Sequence, residues 1–523
     1  MSLPSTTPKS APLGQQIGIA ALVVLAVLIG GYIRLRPVMA AGFPLNDGGL
    51  FYVMAQDIVH SNFALPAVSS YNAIQMPFAY PPLAFYIAAF LNTALHWNLL
   101  EIVQYFPAIM NTLTIAAFYP LARTILRSRL QAIFATFAFA LLPRAFKWLI
   151  MGGGLTRSLG FFFAVIALQQ AYLLYTTHQR RYLLPTIILA SLTALSHPEI
   201  ALYTACSIGV FFLFYWRTRE GLINSMIAGA GVIILTAPWW LSVVSAHGLS
   251  PLLSAFQTGE YATYPNVFIL LFTGLGFSED VFLGFVGLLG IVKVIADGRW
   301  FLPAWLVALF VIDPRGAPTY ATIPLALLIA IFIDEVMLAA IFKSGAASNR
   351  TSQLGKRIAF ALLVSFLVSY GYVFASSVPS DVLAMDERAA MQWAAANTPD
   401  QSSFAVVTGS SAWASDLVAE WFPVLSHRQS LATVQGFEWF PNRQFFERRT
   451  RHEMLQACAN QDVKCLITWA QQNGIALSYV YLSDLYAKES ALQQSLASSP
   501  AYDLVYAGPG PKIYKKRADL ATF

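Results

Sequence analysis

The sequence of 523 residues is 57% hydrophobic and only 11% charged, and its mean hydropathy is +0.59. Because a soluble domain carries about 25% charged residues, this composition excludes an ordinary soluble protein and indicates an integral membrane protein. The net charge of +6 does not indicate nucleic-acid binding, since Lys and Arg cluster in short loops between apolar runs, as they do in membrane proteins.

The first 14 residues are polar and are predicted to form a disordered cytoplasmic tail. The apolar run that follows is too long for a signal-peptide core and has no small-residue cleavage site, so we interpret it as an uncleaved first span. Apolar runs near 20 residues match the ~30 Å hydrocarbon core of a membrane. About eleven spans are predicted on this basis, at residues 15–36, 101–125, 130–149, 157–176, 181–197, 200–216, 222–245, 279–296, 299–313, 318–342 and 356–377.

Two further apolar stretches, residues 81–97 and 266–277, are not assigned as spans. If both stay on the outer side, most loop Lys and Arg residues face the cytoplasm, whereas counting 81–97 alone as a span would invert most of the loops. The charge distribution therefore places the N-terminus in the cytoplasm, and it places loop 37–100 and the C-terminus outside. Residues 15–378 form the predicted transmembrane domain of a multi-pass plasma-membrane protein.

Residues 379–523 are predicted to form a soluble, extracytoplasmic α/β domain. The stretch "DERAAMQWAAANTPD" predicts a helix, and further helices are expected near 445–459 and 486–498. The runs "SFAVVTG", "SLATVQG", "CLITW" and "LSYVYLS" predict strands, and the final "YDLVYAGPGPKIYKK" predicts a hairpin. Cys458 and Cys465 are seven residues apart and form either a disulfide or two separate thiols. The predicted fold class is a polytopic α-helical membrane protein with a C-terminal extracytoplasmic α/β domain.

The loop after the first span contains "NDGGLFYVMAQDIVH", residues 46–60. Asp47 before two glycines suits a helix N-cap, but a cap does not explain why Asp57, His60 and "FAYPPLAFY" follow in the same loop. The alternative is that Asp47 is a catalytic carboxylate. Asp57 lies almost three helical turns further on and is expected to face the same way as Asp47, where it would position an acceptor or bind a metal; otherwise it is a solvated side chain.

This loop resembles that of the GT-C glycosyltransferase superfamily, which includes the protein O-mannosyltransferases and the lipid A aminoarabinose transferases. Members have an acid in the first outer loop and a "KPPL" or "HPPL" segment, where this chain has "YPPL". Gln104 stands near a position where members often have a basic residue. The resemblance implies a polytopic enzyme that takes a sugar from a polyprenyl-phosphate carrier to an extracytoplasmic acceptor, with inversion. It also implies that Asp47 is the general base.

Such a transfer releases a phosphate, which cations should receive. Arg144 and Arg157 bracket the glycine-rich "MGGGLT", and Arg315 lies in "DPRGAPTY", all at predicted outer span ends, so these three are the candidates. Arg34, Arg36 and Lys147 also lie at outer span ends, but they equally fit side chains that reach to the membrane interface.

Further substrate-binding residues are predicted in the same outer segments: Tyr80, His197, Glu199 and Tyr320. Glu199 and His197 of "SHPE" also fit a turn with capping roles. In the C-terminal domain, Glu420 and Glu438 lie beside tryptophans, and carboxylates next to aromatic faces suit sugar rings. The same residues would equally suit a surface that packs on the outer loops or the membrane.

The sequence assigns no cofactor, and a divalent cation at Asp47 and Asp57 stays open. Neither a Walker A motif nor a dinucleotide-binding glycine fingerprint is present, which fits a lipid-linked donor rather than a nucleotide sugar. The expected partners are a polyprenyl-phosphate-linked sugar, an extracytoplasmic acceptor and the lipid bilayer. Two other functions compete: a transporter or flippase of lipid-linked glycans, and a non-catalytic membrane scaffold whose outer domain binds a glycan.

Overall fold

The computed structural model describes residues 13–258, 281–340, 381–484 and 489–517, together with some residues between 354 and 373. The apolar stretch 266–277 and much of the predicted span 356–377 lie outside the described residues.

Helices make up most of the described chain up to residue 340. Five of the described helices are long and apolar enough to cross a membrane: 16–41, 99–125, 154–177, 198–215 and 219–247. The helices of this part are α1 Leu13–Ala41, α2 Gly49–His60, α3 Leu83–Leu95, α4 Leu99–Ile125, α5 Arg129–Leu141, α6 Gly154–Thr177, α7 Leu183–Ser196, α8 Pro198–Tyr215, α9 Arg219–His247, α10 Ser250–Gln257, α11 Val281–Ala296, α12 Phe301–Ile312, α13 Ala317–Tyr320 and α14 Thr322–Phe332. A π-helical turn, Ile333–Leu338, continues α14.

Helix α5 lies at the centre of the bundle, against α1, α4 and α14. It has no polar face, and every residue from Gln131 to Leu141 is buried, as expected of a helix that is apolar all round. The helix ends at Leu141 rather than continuing to residue 149 as the span prediction has it. Pro143 follows and opens a short 3-10 turn, Pro143–Ala145, which starts the connection to α6.

The loop between α1 and α4 has its own structure. Helix α2 is followed by a short antiparallel pair of strands, β1 Val68–Ser69 and β2 Met76–Pro77, and then by α3. Helix α2 packs against α3 and α4 on one side and against the C-terminal region on the other.

The C-terminal region, residues 381–517 as described, contains a five-stranded sheet of order β4-β3-β5-β7-β6. Strands β3, β4 and β5 are parallel, and the β6–β7 hairpin adds antiparallel pairing at β5. The elements are α15 Met385–Asn397, β3 Ser403–Val407, α16 Leu417–Ser426, β4 Gln429–Ser430, α17 Gln444–Ala457, α18 Val463–Gln472, β5 Tyr479–Leu482, α19 Ala491–Ser498, β6 Tyr502–Ala507 and β7 Lys512–Lys516.

The strand prediction for "CLITW" is wrong, because these residues lie within α18. Asp462 caps this helix by accepting the backbone N–H of Lys464, so the acid three residues before "CLITW" was a helix-start signal. Cys458 and Cys465 form a disulfide, with their Cα atoms 5.5 Å apart. This resolves the alternative that the sequence left open and ties the end of α17 to α18.

Candidate active site

Asp47 does not cap helix α2. The N-cap position is Gly48, whose φ of 117° places it in the left-handed region, and the Asp47 carboxylate turns toward the loop before α6 instead. Its Oδ1 accepts the backbone N–H of Gly153 at 2.7 Å, and its Oδ2 forms an ion pair with Arg157 at 2.7 Å. The side chains of Asp47 and Arg157 remain 17% and 12% exposed, so the pair keeps some access to solvent. We call the surroundings of this pair, at the ends of α6, α8 and α12, the crevice.

The Asp47 segment passes directly over Gly152 and Gly153, whereas Gly154 lies against the carbonyl of Leu149. The N–H of Gly152 donates to the carbonyl of Leu45 at 2.9 Å. A Cβ on Gly152 would meet the backbone carbonyl of Asp47, and a Cβ on Gly153 would meet both the Asp47 carboxylate and the Arg157 guanidinium. The sequence predicted a turn here, and the structure shows that only glycine admits the acid at this distance.

Arg157 is fixed in the first turn of α6 by more than the ion pair. Its Nε donates to the carbonyl of Gly153 at 3.1 Å, and its guanidinium lies over the ring of Trp148, 4.6 Å from the ring centroid. Its charge acts on His197 and Glu199 as well, so the cation is shared among several groups of the same crevice.

The ends of α8 and α12 supply the opposite side of the crevice. His197 caps α8 by accepting the N–H of Ile200, and Glu199 stands in the first turn of that helix. Arg315, on the connection after α12, is exposed and acts electrostatically on both His197 and Glu199. The backbone N–H of Arg315 donates to the Asp313 carboxylate at 3.0 Å, which holds this connection in a tight turn.

Two stacked tyrosines lie next to these charged residues. The rings of Tyr203 and Tyr320 are 4.0 Å apart, and the Tyr203 hydroxyl donates to the carbonyl of Asp313 at 2.5 Å. A Cβ on Gly316 would meet the Glu199 carboxylate and would lie 2.9 Å from the Tyr203 hydroxyl. A side chain at this position of "DPRGAPTY" would therefore displace the Glu199 carboxylate or the Tyr203 hydroxyl.

Tyr80 of "YPPL" connects the first loop to the rest of the site. Its hydroxyl lies 3.2 Å from Thr156 Oγ1 in α6. The centroid of its ring lies 5.9 Å from that of His197 and 5.5 Å from that of Trp439 in the C-terminal region. The side chain is partly exposed, so it lines the crevice between the loop, the helical bundle and the C-terminal region.

Glu420 and Glu438 have different surroundings. Glu420 is only 4% exposed, and its Oε1 accepts the N–H groups of Gly48 and Leu50, which leaves no surface for a sugar. Burial raises the pKa of Glu420 well above its usual range, and the nearby charge of Asp47 acts in the same direction. Glu438 is partly exposed next to Trp439 and accepts the N–H of Gly436 at 2.7 Å. Burial raises the pKa of Glu438 to about 7.

No protein-family model matches the sequence, and no curated protein matches it. Solved structures do match. The oligosaccharyltransferase AglB from Archaeoglobus fulgidus, in complex with an inhibitory peptide and a dolichol-phosphate, aligns with a TM-score of 0.58 at 16% identity over 98% of this chain and 75% of its own. ArnT from Cupriavidus metallidurans aligns with a TM-score of 0.55 at 14% identity over 97% and 99% of the two chains.

A third match is the arabinofuranosyltransferase AftD from Mycobacteria, with a TM-score of 0.58 at 16% identity, over 98% of this chain but 40% of AftD. ArnT has also been solved bound to undecaprenyl phosphate, and that structure aligns with a TM-score of 0.52 at 14% identity. The chain has the GT-C fold. The resemblance inferred from the first outer loop is confirmed at the level of the fold, which extends through the C-terminal region of the chain.

Within this GT-C fold, the predicted site residue Asp57 lies apart from the Asp47 crevice. Asp57 accepts hydrogen bonds from the Ser69 hydroxyl at 2.7 Å and from the backbone and hydroxyl of Ser70, so it fastens the end of α2 to β1. It shares no partner with Asp47. Arg144 is half-buried in the Pro143–Ala145 turn. Among the residues that the structure describes, no group of three or more His, Cys, Asp or Glu side chains could hold a metal ion.

Two polar residues considered in the sequence analysis, Arg34 and Gln104, are buried inside the GT-C bundle. Arg34 is fully buried and donates to Asn111 Oδ1 and to the carbonyl of Ala140. It therefore does not reach to the membrane interface, which was one of the two expectations for this side chain. Gln104 donates to the carbonyl of Val38 at 2.8 Å and joins α4 to α1. Both residues therefore connect helices.

Four residues of the crevice were not predicted from the sequence: Trp148, Thr156, Tyr203 and Asp313. Asp313 was the easiest of these to predict, because it is an acid two residues before a candidate phosphate-binding arginine. Tyr203 lies one and a half helical turns after His197, and Thr156 directly precedes Arg157, but neither position carries a signal by itself.

Proposed function

We propose that this chain is a membrane glycosyltransferase that moves a sugar from a polyprenyl-phosphate-linked donor to a hydroxyl-bearing acceptor. The observation that carries the proposal is the crevice in which the Asp47 carboxylate, Arg157 and Arg315 lie around the ends of α6, α8 and α12. A carboxylate beside cations is what the reaction needs, and the proteins that share this fold include two enzymes solved with polyprenyl phosphates.

In the proposed reaction, an acceptor hydroxyl attacks the anomeric carbon of the donor and gives its proton to Asp47. The bond between the anomeric carbon and the phosphate oxygen breaks as the new glycosidic bond forms, so the configuration is inverted and polyprenyl phosphate leaves. Arg157 and Arg315 would receive the phosphate charge. Asp47 Oδ1 and Oδ2 each accept one hydrogen bond, and a carboxylate has about four acceptor sites, so a hydroxyl can still be accepted there.

Two further groups would serve the substrates. Tyr80 is half-buried, packs against the buried Trp439 and presents aromatic surface beside the charged crevice, which suits the apolar face of a sugar ring. His197, Glu199 and Tyr320 would contact donor or acceptor hydroxyls from the side of the bundle. Glu438 stands next to Trp439 and would add a hydrogen-bond acceptor at the mouth of the crevice.

The proposed orientation puts the crevice outside the cytoplasm, in the plasma membrane. The opposite ends of the helices carry most of the basic loop residues, which favours a cytoplasmic location for them. Those residues are Arg123, Arg127, Arg129, Arg180, Arg181, Arg217, Arg219, Lys293 and Arg299.

A mass profile of envelope glycans and glycolipids tests the transferase proposal. The gene deletion is compared with the same strain complemented by the wild-type gene. We expect the deletion to lack one sugar mass, to accumulate its polyprenyl-phosphate donor, and to be restored by the wild-type gene. A deletion strain with an unchanged glycan profile and no accumulated donor would contradict the proposal.

A further inference from the structure

The segment that carries Asp47 is held by the C-terminal region as well as by the helical bundle. On the bundle side, Gly152 and Gly153 bind Leu45 and Asp47. On the opposite side, Leu45 pairs with Val382 in an antiparallel bridge, and the N–H of Asn46 donates to the carbonyl of Asp381 at 2.7 Å. Asp47 therefore lies in a short irregular segment, next to Asn46 with φ 52°, that is held by hydrogen bonds on both sides.

Helix α2 starts directly after this segment and has no cap of its own. Gly48 occupies the N-cap position, and a glycine has no side chain that could accept the first N–H groups of the helix. The acceptor comes from Glu420 instead. Its Oε1 lies 2.9 Å from the N of Gly48 and 3.3 Å from the N of Leu50. A carboxylate at a helix N-terminus is also favoured by the helix dipole.

The backbone around Glu420 is itself held by several hydrogen bonds. Helix α16, which carries it, is capped by Asp416 through the N–H of Ala419. The carbonyl of Glu420 accepts the hydroxyl of Tyr71 at 2.8 Å, and the indole N–H of the next residue, Trp421, donates to the carbonyl of Asn46 at 3.2 Å. The carboxylate therefore reaches the start of α2 from a fixed backbone.

We propose that Glu420 is a positioning residue, which fixes the backbone at Gly48 and thereby the orientation of the Asp47 carboxylate. The effect of Glu420 on catalysis rests on the proposed function, whereas its effect on the backbone at Gly48 does not. Because Glu420 contributes an acceptor oxygen, glutamine can replace it, whereas alanine leaves the N–H groups of Gly48 and Leu50 without a partner in a buried place.

The experiment combines amide hydrogen exchange over residues 46–52 with transfer kinetics, on the full-length protein in lipid nanodiscs. The variants are Glu420→Ala and Glu420→Gln. Glu387→Ala is the matched control, since Glu387 is another buried acid of the C-terminal region but binds Tyr481, Ser483 and the N–H of Asp484. The donor for the kinetics is the lipid-linked sugar that accumulates in the deletion strain.

We expect Glu420→Ala to speed exchange at Gly48 and Leu50 by about tenfold or more, because two buried N–H groups lose their hydrogen-bond acceptor. We expect kcat to fall about 10- to 100-fold at an unchanged donor KM, since a displaced base costs rate rather than donor affinity. Glu420→Gln should keep both near the wild-type values, and Glu387→Ala should leave exchange at residues 46–52 unchanged.

Unchanged exchange at residues 46–52 in Glu420→Ala, or equal acceleration there in Glu387→Ala, would overturn the inference. Faster exchange with an unchanged kcat would overturn its catalytic part. If the wild-type protein transfers no sugar, the exchange result alone still decides whether Glu420 fixes this segment, and the failure then belongs to the proposed function.

Discussion

Replacing Gly152 by alanine places a methyl group against the backbone of Asp47. The new Cβ would lie 2.9 Å from the carbonyl carbon of Asp47 and closer still to its oxygen. Since ordinary carbon contacts begin at about 3.4 Å, the Asp47 segment must retreat by at least about 0.5 Å, and by more to clear the oxygen. A displacement of about 1 Å at a reacting group costs roughly 100-fold in rate.

The assay is the initial rate of sugar transfer in membranes that contain equal amounts of each variant. We expect Gly152→Ala to lose about 100-fold in kcat while the protein still inserts and folds. Gly229→Ala is the control, because a Cβ there meets nothing within 4 Å in helix α9. A Gly152→Ala protein with the wild-type rate would refute the reasoning that close approach of this loop places Asp47.

Three other predictions concern the ion pair, a buried acid and the disulfide. Arg157→Gln removes the partner of Asp47 and a proposed phosphate ligand, so we expect about 10- to 100-fold lower kcat/KM for the donor, measured by donor titration; an unchanged value would exclude the phosphate role. Burial raises the pKa of Asp416 from 3.8 to about 6, so the folded protein holds this proton more tightly than the unfolded chain. The C-terminal region should therefore lose about 3 kcal/mol as pH rises from below 4 to above 6, and denaturant unfolding of Asp416→Asn should lack this loss; an identical pH dependence in both would contradict the assignment. Replacing both Cys458 and Cys465 by serine removes the disulfide that closes this short loop and should lower the free energy of unfolding by about 2.5 kcal/mol. An unchanged denaturation midpoint would show that the disulfide adds no stability.

Much of the crevice could be predicted from the sequence. Asp47, Arg157 and Arg315 are charged residues at the ends of apolar runs, where most chains avoid charge, and each has a glycine within three residues. Span ends on the same side of a membrane are close in space when the helices pack together. The structure accordingly brings these three residues to one crevice, together with His197 and Glu199.

Other contacts could not be predicted, because they depend on tertiary packing between distant segments. No sequence signal indicates that Glu420 lies at the start of a helix about 370 residues earlier in the chain. The expectation that Asp57 faces the same way as Asp47 treated residues 47–57 as one helix, whereas α2 begins only at Gly49. The burial of Arg34 could not be predicted either, because its partner Asn111 lies on the neighbouring helix α4. The short run "CLITW" was ambiguous between strand and helix, as short apolar runs are.

The rate of sugar transfer by Asp47→Asn tests the proposed mechanism most directly. The donor is the lipid-linked sugar that accumulates in the deletion strain, and the comparison is with wild type and with Asp57→Asn at equal protein amount. We expect Asp47→Asn to lose about 100- to 10,000-fold in kcat, the usual contribution of a general base, and Asp57→Asn to keep most of the activity. An Asp47→Asn protein that transfers the sugar at the wild-type rate would contradict the assignment of Asp47 as the base.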